Sequence, residues 1–139
     1  MANSELTDEQ RQRAADVLHG LAFSKLIGMR LTELELGEAT IAIEMRDELR
    51  HPGGILHGGV TATLIDTAMA FAVRTYIDPD VQTATIDLTV HYLRPHIDGV
   101  FSCKARVVRP GKRIFTVSAD VVNEDGKLIA TGISTYTVL

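Results

Sequence analysis

The chain has 139 residues, a length that suits one hydrophobic core and leaves little room for two. Hydrophobic residues make up 45 % and charged residues 23 %, which excludes disordered and fibrous classes. The formal net charge of -4 argues against a broad nucleic-acid surface while leaving room for a local basic pocket.

The first thirteen residues, MANSELTDEQRQR, are polar and lack the apolar run of a signal peptide. Within them Thr7-Asp8-Glu9-Gln10 reads as a capping box, in which a threonine oxygen and a glutamine side chain satisfy each other's backbone amides. A short helix is expected from there to about Leu18, stopped near Gly20. Its apolar positions Ala14, Val17, Leu18 and Leu21 share roughly one packing face. From Met29 the period changes. Met29, Leu31, Leu34 and Leu36, then Ala39, Ile41, Ile43 and Met45, mostly alternate on either side of Gly37, which predicts a hairpin.

A glycine-rich segment, HPGGILHGG at residues 51–59, leads into VTATLIDTAMAFAVRTYI, which has no internal Gly or Pro. It is apolar nearly all round and reads as a buried helix, ended by Asp78-Pro79-Asp80. Four strands are expected after it: Thr83 to Leu93, Val100 to Val108, Arg113 to Asn123 and Lys127 to Leu139, separated by short turns mostly marked by Gly or Pro. Consecutive strands with tight connections imply an antiparallel sheet whose apolar face one long helix must cover. The fold class is α+β, one domain over residues 1–139 with residues 1–22 as an N-terminal helical segment. The stretch Gly58 to Val73 is too short and too polar for a membrane span, and Cys103 is the single cysteine, so neither a disulfide within the chain nor a cysteine metal cluster is expected. A cytoplasmic protein without membrane or nucleic-acid partners follows.

Chemistry concentrates between His51 and Asp66. Asp66 is the only charged residue between His57 and Arg74, and a carboxylate in such a helix needs hydrogen-bond partners, a solvent-facing stripe or a task. Gly58 and Gly59 stand where the helix should begin, and free amides there favour an anion or a developing oxyanion. A tight turn into the helix explains the same pair. His57 beside them could polarise a carbonyl. Gly58 and Asp66 are eight residues apart, roughly 12 Å along one helix, too far to act on one carbonyl carbon. Two copies of the helix running antiparallel across a two-fold axis would bring them together, so a catalytic role predicts a homodimer.

The string His57-Gly58-Gly59-Val60-Thr61-Ala62-Thr63-Leu64-Ile65-Asp66 closely resembles the signature of the PaaI-like hotdog thioesterases. That pattern has an Asn, a Gly three positions later, then His-Gly-Gly, and an Asp nine residues beyond the His. Gly54, His57, Gly58, Gly59 and Asp66 all fall at the required spacing, and the segment Thr85 to Pro95 is similar to the family's next strand. The resemblance implies a hotdog fold, an antiparallel sheet of about six strands wrapped around one long buried helix. It also implies an acyl-CoA thioesterase without cofactor or metal, assembled as a homodimer and commonly a homotetramer. Asp66 would then be nucleophile or general base, with the Gly58 amide as oxyanion donor and His57 nearby. Thr85 would place water or substrate.

The family's Asn falls at His51 here, so the water-positioning group differs in shape and in protonation chemistry. Gly59, Tyr92, Arg94 and Pro95 would line the substrate path. Arg109, Gly111, Lys112 and Arg113 in a basic turn could hold coenzyme A phosphates. The same turn could be an ordinary solvated hairpin. His51-Pro52-Gly53 followed by a helical acid also resembles, more faintly, the His-and-Glu pair of acyl-carrier-protein dehydratases. A non-catalytic acyl-CoA binding module is a further alternative.

Overall fold

The computed structural model describes residues 5–139. Helix α1, Asp8–Gly20, opens with the expected capping box: the Gln10 amide donates to Thr7 Oγ1 at 3.1 Å, and the Thr7 amide donates to Gln10 Oε1 at 2.8 Å. Of the four apolar positions expected on its packing face, Leu18 is buried and Ala14 partly so, whereas Val17 and Leu21 stay about half exposed. A second helix not anticipated from the sequence, α2 at Ala22–Ile27, follows at once and stops at Gly28 in the left-handed conformation. Arg46 donates to the free carbonyl of Ile27 at 2.7 Å and to that of Leu26, stabilising this short helix from outside.

The hairpin is β1, Arg30–Glu35, and β2, Glu38–Glu44. A 3-10 turn at Asp47–Leu49 leads to the long helix α3, Gly58–Arg74. Then come β3, Thr83–Tyr92; β4, Val100–Arg109; β5, Ile114–Asn123; and β6, Leu128–Val138. The sheet order is β1-β2-β4-β5-β6-β3 and every pairing is antiparallel. α3 lies across the inner face, where Ile41 and Ile43 of β2, Phe101, Cys103 and Ala105 of β4, and Val117 and Val121 of β5 meet Leu64, Ile65, Ala68, Met69, Ala72 and Val73. Burial of these rows excludes water from a single apolar layer and is the main source of stability. This is the hotdog architecture.

Helix α3 is not enclosed on all sides, as its composition suggested. Gly59, Ala62, Thr63, Asp66, Thr67 and Ala70 recur at helical spacing and form a partly open stripe of small residues. The adjoining strand β3 is also open: its second edge is unpaired among the described residues, and Thr85, Ile86, Asp87, Thr89, His91 and Tyr92 are exposed. No helix among the described residues is long and apolar enough to cross a membrane.

Candidate active site

The glycine-rich loop is fixed by backbone bonds before α3 begins. The His57 amide donates to the Leu49 carbonyl at 2.8 Å, the Leu56 amide to His96 at 2.9 Å, and the His51 amide to Ile55 at 2.9 Å. Arg50, which the sequence reading passed over, clamps this loop to the turn after β3. It donates to the Gly54 carbonyl at 2.8 Å, the Ile97 carbonyl at 2.6 Å and Asp98 Oδ1 at 2.8 Å. One guanidinium thus ties together two segments 47 and 48 residues apart, which its forked donor set is built to do.

His57 is the N-cap of α3, and its Nδ1 accepts from the Gly59 amide at 2.9 Å. An imidazole here does the work usually given to Ser, Asp or Asn. Because Nδ1 is the acceptor, the proton of the neutral ring sits on Nε2. The Val60 and Thr61 amides turn to the His57 carbonyl. The Gly58 amide alone at this helix start has no acceptor among the described residues, and the positive end of the helix dipole lies behind it. The Gly59 amide, committed to His57, is therefore no free donor. Tyr92 donates its hydroxyl to the Gly58 carbonyl at 2.6 Å and packs its ring against Gly58, so it holds the helix start in place. His51 lies in the loop, with Nδ1 accepting from the Gly53 amide at 2.7 Å. Arg94 and Pro95 are exposed just beyond Tyr92.

Asp66 stands halfway along α3 on the open stripe. Its Oδ1 accepts from Thr85 Oγ1 at 2.8 Å and from the Tyr136 hydroxyl at 2.5 Å, and the same hydroxyl lies 2.6 Å from the Asp66 carbonyl. Its Oδ2 has no hydrogen-bond partner among the described residues. Thr85 and Tyr136 are register partners on neighbouring strands, so the two hydroxyls arrive side by side. Burial above all, and then the bond to Asp66, push the Tyr136 phenol well above its usual range and keep it a donor. Tyr136 escaped the sequence reading because it is 70 residues from Asp66 and no spacing rule links them.

Two groups of residues thus form, and they do not meet. Gly58, Gly59, His57, His51, Tyr92, Arg94 and Pro95 belong to the helix start and its end of the sheet. Asp66 and Thr85 lie toward the other end, where Phe115 pairs with Tyr136 and the exposed turn bearing Arg109, Gly111, Lys112 and Arg113 follows directly. Leu64, Ile65, Met69 and Phe71 of α3 point away from the open stripe and belong to the core.

The thioesterase superfamily profile matches residues 53–130, which contain the glycine-rich loop from Gly53 onward, α3, β3, β4 and β5. The chain belongs to the thioesterase superfamily. That membership places it among hydrolases of thioesters. Human acyl-coenzyme A thioesterase 13 is 28 % identical over 133 residues, covering 93 % of this chain and 94 % of that protein. Among solved structures, a conserved protein of Pseudomonas aeruginosa superposes with a TM-score of 0.82 at 35 % identity, covering 86 % of this thioesterase and 94 % of the other chain. A mutant of the phenylacetic acid degradation protein PaaI of Thermus thermophilus superposes with a TM-score of 0.77 at 30 % identity, covering 84 % of this chain and 98 % of that one.

Proposed function

We propose that this thioesterase hydrolyses acyl-CoA thioesters as a homodimer, with each active site shared between two subunits. The observation that carries the reading is the asymmetry of Asp66. One oxygen is pinned by two hydroxyls, and the other is uncommitted on a partly open face. The complementary group, an uncommitted amide at a helix start, lies eight residues away on the same helix. A second copy packed antiparallel along the small-residue stripe and the open β3 edge would bring the partner's Asp66 opposite Gly58. A homotetramer would be a pair of such dimers.

In this site the thioester oxygen accepts from the Gly58 amide, and His57 Nε2–H is a second donor beside it. Asp66 of the other subunit either attacks the carbonyl carbon or takes a proton from an attacking water. Negative charge grows on the thioester oxygen as the tetrahedral species forms, and the fixed amide stabilises it most there. The tetrahedral species then collapses and the C–S bond breaks. In the base route the proton taken by Asp66 passes to the departing CoA thiolate and the free acid is released. In the nucleophile route the acyl–Asp66 anhydride left behind is hydrolysed by a water whose proton goes to the thiolate. His51 stands where the family's water-positioning Asn would be. Lys112 and Arg113, with Arg109, border the Asp66 end and suit the phosphates of coenzyme A. The name of the human relative supports the acyl-CoA class. Thiol release across a panel of acyl-CoA esters tests the reading: wild type is expected to release CoA, and Asp66→Ala to lose about a hundredfold or more in turnover. Undiminished turnover in the folded variant would refute the role of Asp66, and an enoyl product without free thiol would mark a dehydratase.

A further inference from the structure

Strand β3 changes phase in mid-course. Leu88, Val90 and Tyr92 share the α3 side of the sheet, because they pair with Ser134, Gly132 and Ala130 of the inner row of β6. Strict alternation from these residues would carry Ile86 inward and turn Thr85 to the outer face, away from Asp66. Instead Thr85 pairs with Tyr136 and Asp87 with Thr135, leaving Ile86 as an extra, unpaired residue that is 55 % exposed. The bulge resets the alternation by one, and Thr85 Oγ1 lands 2.8 Å from Asp66 Oδ1.

A bulge disturbs the ladder beside it, and here side chains satisfy the displaced groups. The Thr135 amide donates to Asp87 Oδ1 at 2.9 Å, and the buried Ser134 hydroxyl donates to the Asp87 carbonyl at 2.6 Å. We propose that Asp87 is a positioning residue of the active site: with Ser134 it holds the bulge that turns Thr85 onto Asp66. The proposal rests on Asp66 being the reacting carboxylate. An exposed aspartate on an edge strand also discourages unwanted strand pairing, but that role needs no bond to the Thr135 amide and predicts no link to Thr85.

The test is steady-state thiol release with an acyl-CoA ester that the wild type turns over, using variants shown by sedimentation to keep the wild-type assembly. Asp87→Ala is expected to lower kcat about tenfold with KM within about twofold, the pattern of a displaced reacting group. Asp87→Asn, whose amide oxygen can still accept from Thr135, should stay within about threefold of wild type. The double variant Thr85→Val with Asp87→Ala should be no slower than Thr85→Val alone, since both changes remove the same effect. Ser134→Ala, a small change inside the sheet, should reproduce the loss and carries the test if Asp87→Ala does not fold. Unchanged kcat in these variants, or losses that multiply with Thr85→Val, would overturn the proposal.

A readout independent of turnover is the carboxyl carbon resonance of Asp66, expected to move in Asp87→Ala and Ser134→Ala together with faster exchange of the Thr135 amide. If Asp66 does not respond, the bulge has no hold on the site whatever the enzyme hydrolyses. A resonance that moves in a chain inert toward every acyl-CoA supports the bulge mechanism and sinks the acyl-CoA reading alone.

Discussion

Tyr136 reaches Asp66 from near the end of the chain and is itself buried. Because folding raises its ionisation above that of a free phenol, its contribution to stability is complete below pH ~10 and is lost as pH rises past that value. The buried Cys103 thiol is raised too, chiefly by desolvation, so its contribution begins to fall from pH ~8.5. Urea unfolding between neutral and alkaline pH should therefore show stability declining above about 8.5 and more steeply above about 10. Tyr136→Phe should remove the second part of that decline and cost about 1.5–3 kcal/mol near neutrality, the range for a hydrogen bond to a charged group. A variant with the wild-type alkaline slope would show that this phenol is not the titrating group. At this scale the sequence was partly legible. His57, Gly58 and Asp66 stand out by type and spacing, and Thr85 is found through the family pattern. Tyr136 and Arg50 are not, since their partners lie far away in the chain and become neighbours only through strand register and loop docking.

At the level of elements, α3 approaches the sheet closely at Gly132 on β6. A β-carbon there would stand 3.0 Å from Ile65 Cγ2 and 3.4 Å from the Thr89 carbonyl. Gly132→Ala is expected to destabilise by about 1–3 kcal/mol through overpacking, and denaturant midpoints decide: an unchanged midpoint would mean that Ile65 gives way. The glycine-rich loop depends on Arg50 in a different way. Arg50→Lys keeps the charge but loses the fork, so amide exchange over residues 53–56 should accelerate and turnover should fall, while global stability changes little. An unaltered exchange pattern would mean the backbone bonds hold the loop without help. Periodicity located α1, the first hairpin, α3 and the four later strands to within about two residues at most ends, as expected for strong patterns. It missed α2, whose six residues are too few to show a period and whose C-terminus leans on distant Arg46. It also missed the bulge, because an inserted residue in a strand rich in Thr, Ile and Val looks like uninterrupted strand.

For the whole molecule, the open stripe of α3, the unpaired edge of β3 and two half-sites that a single subunit keeps apart point the same way. Composition foresaw a helix buried all round, whereas the described residues of one subunit leave a face of small residues only partly covered. Both observations are reconciled if a second copy supplies the missing cover and the missing half of each site. Gly58→Pro removes the amide N–H and puts a ring carbon in its place: proline is tolerated at the first helical position, the extended backbone of His57 permits it, and Gly58→Ala controls for the β-carbon contact 3.2 Å from the Tyr92 ring. The decisive measurement co-expresses differently tagged Asp66→Asn and Gly58→Pro subunits and assays the purified heterodimer, each parent being inactive alone. One of its two sites then joins an intact Asp66 to an intact Gly58 amide, and about half of the wild-type rate per dimer is expected. A heterodimer as inactive as its parents would contradict a site shared across subunits.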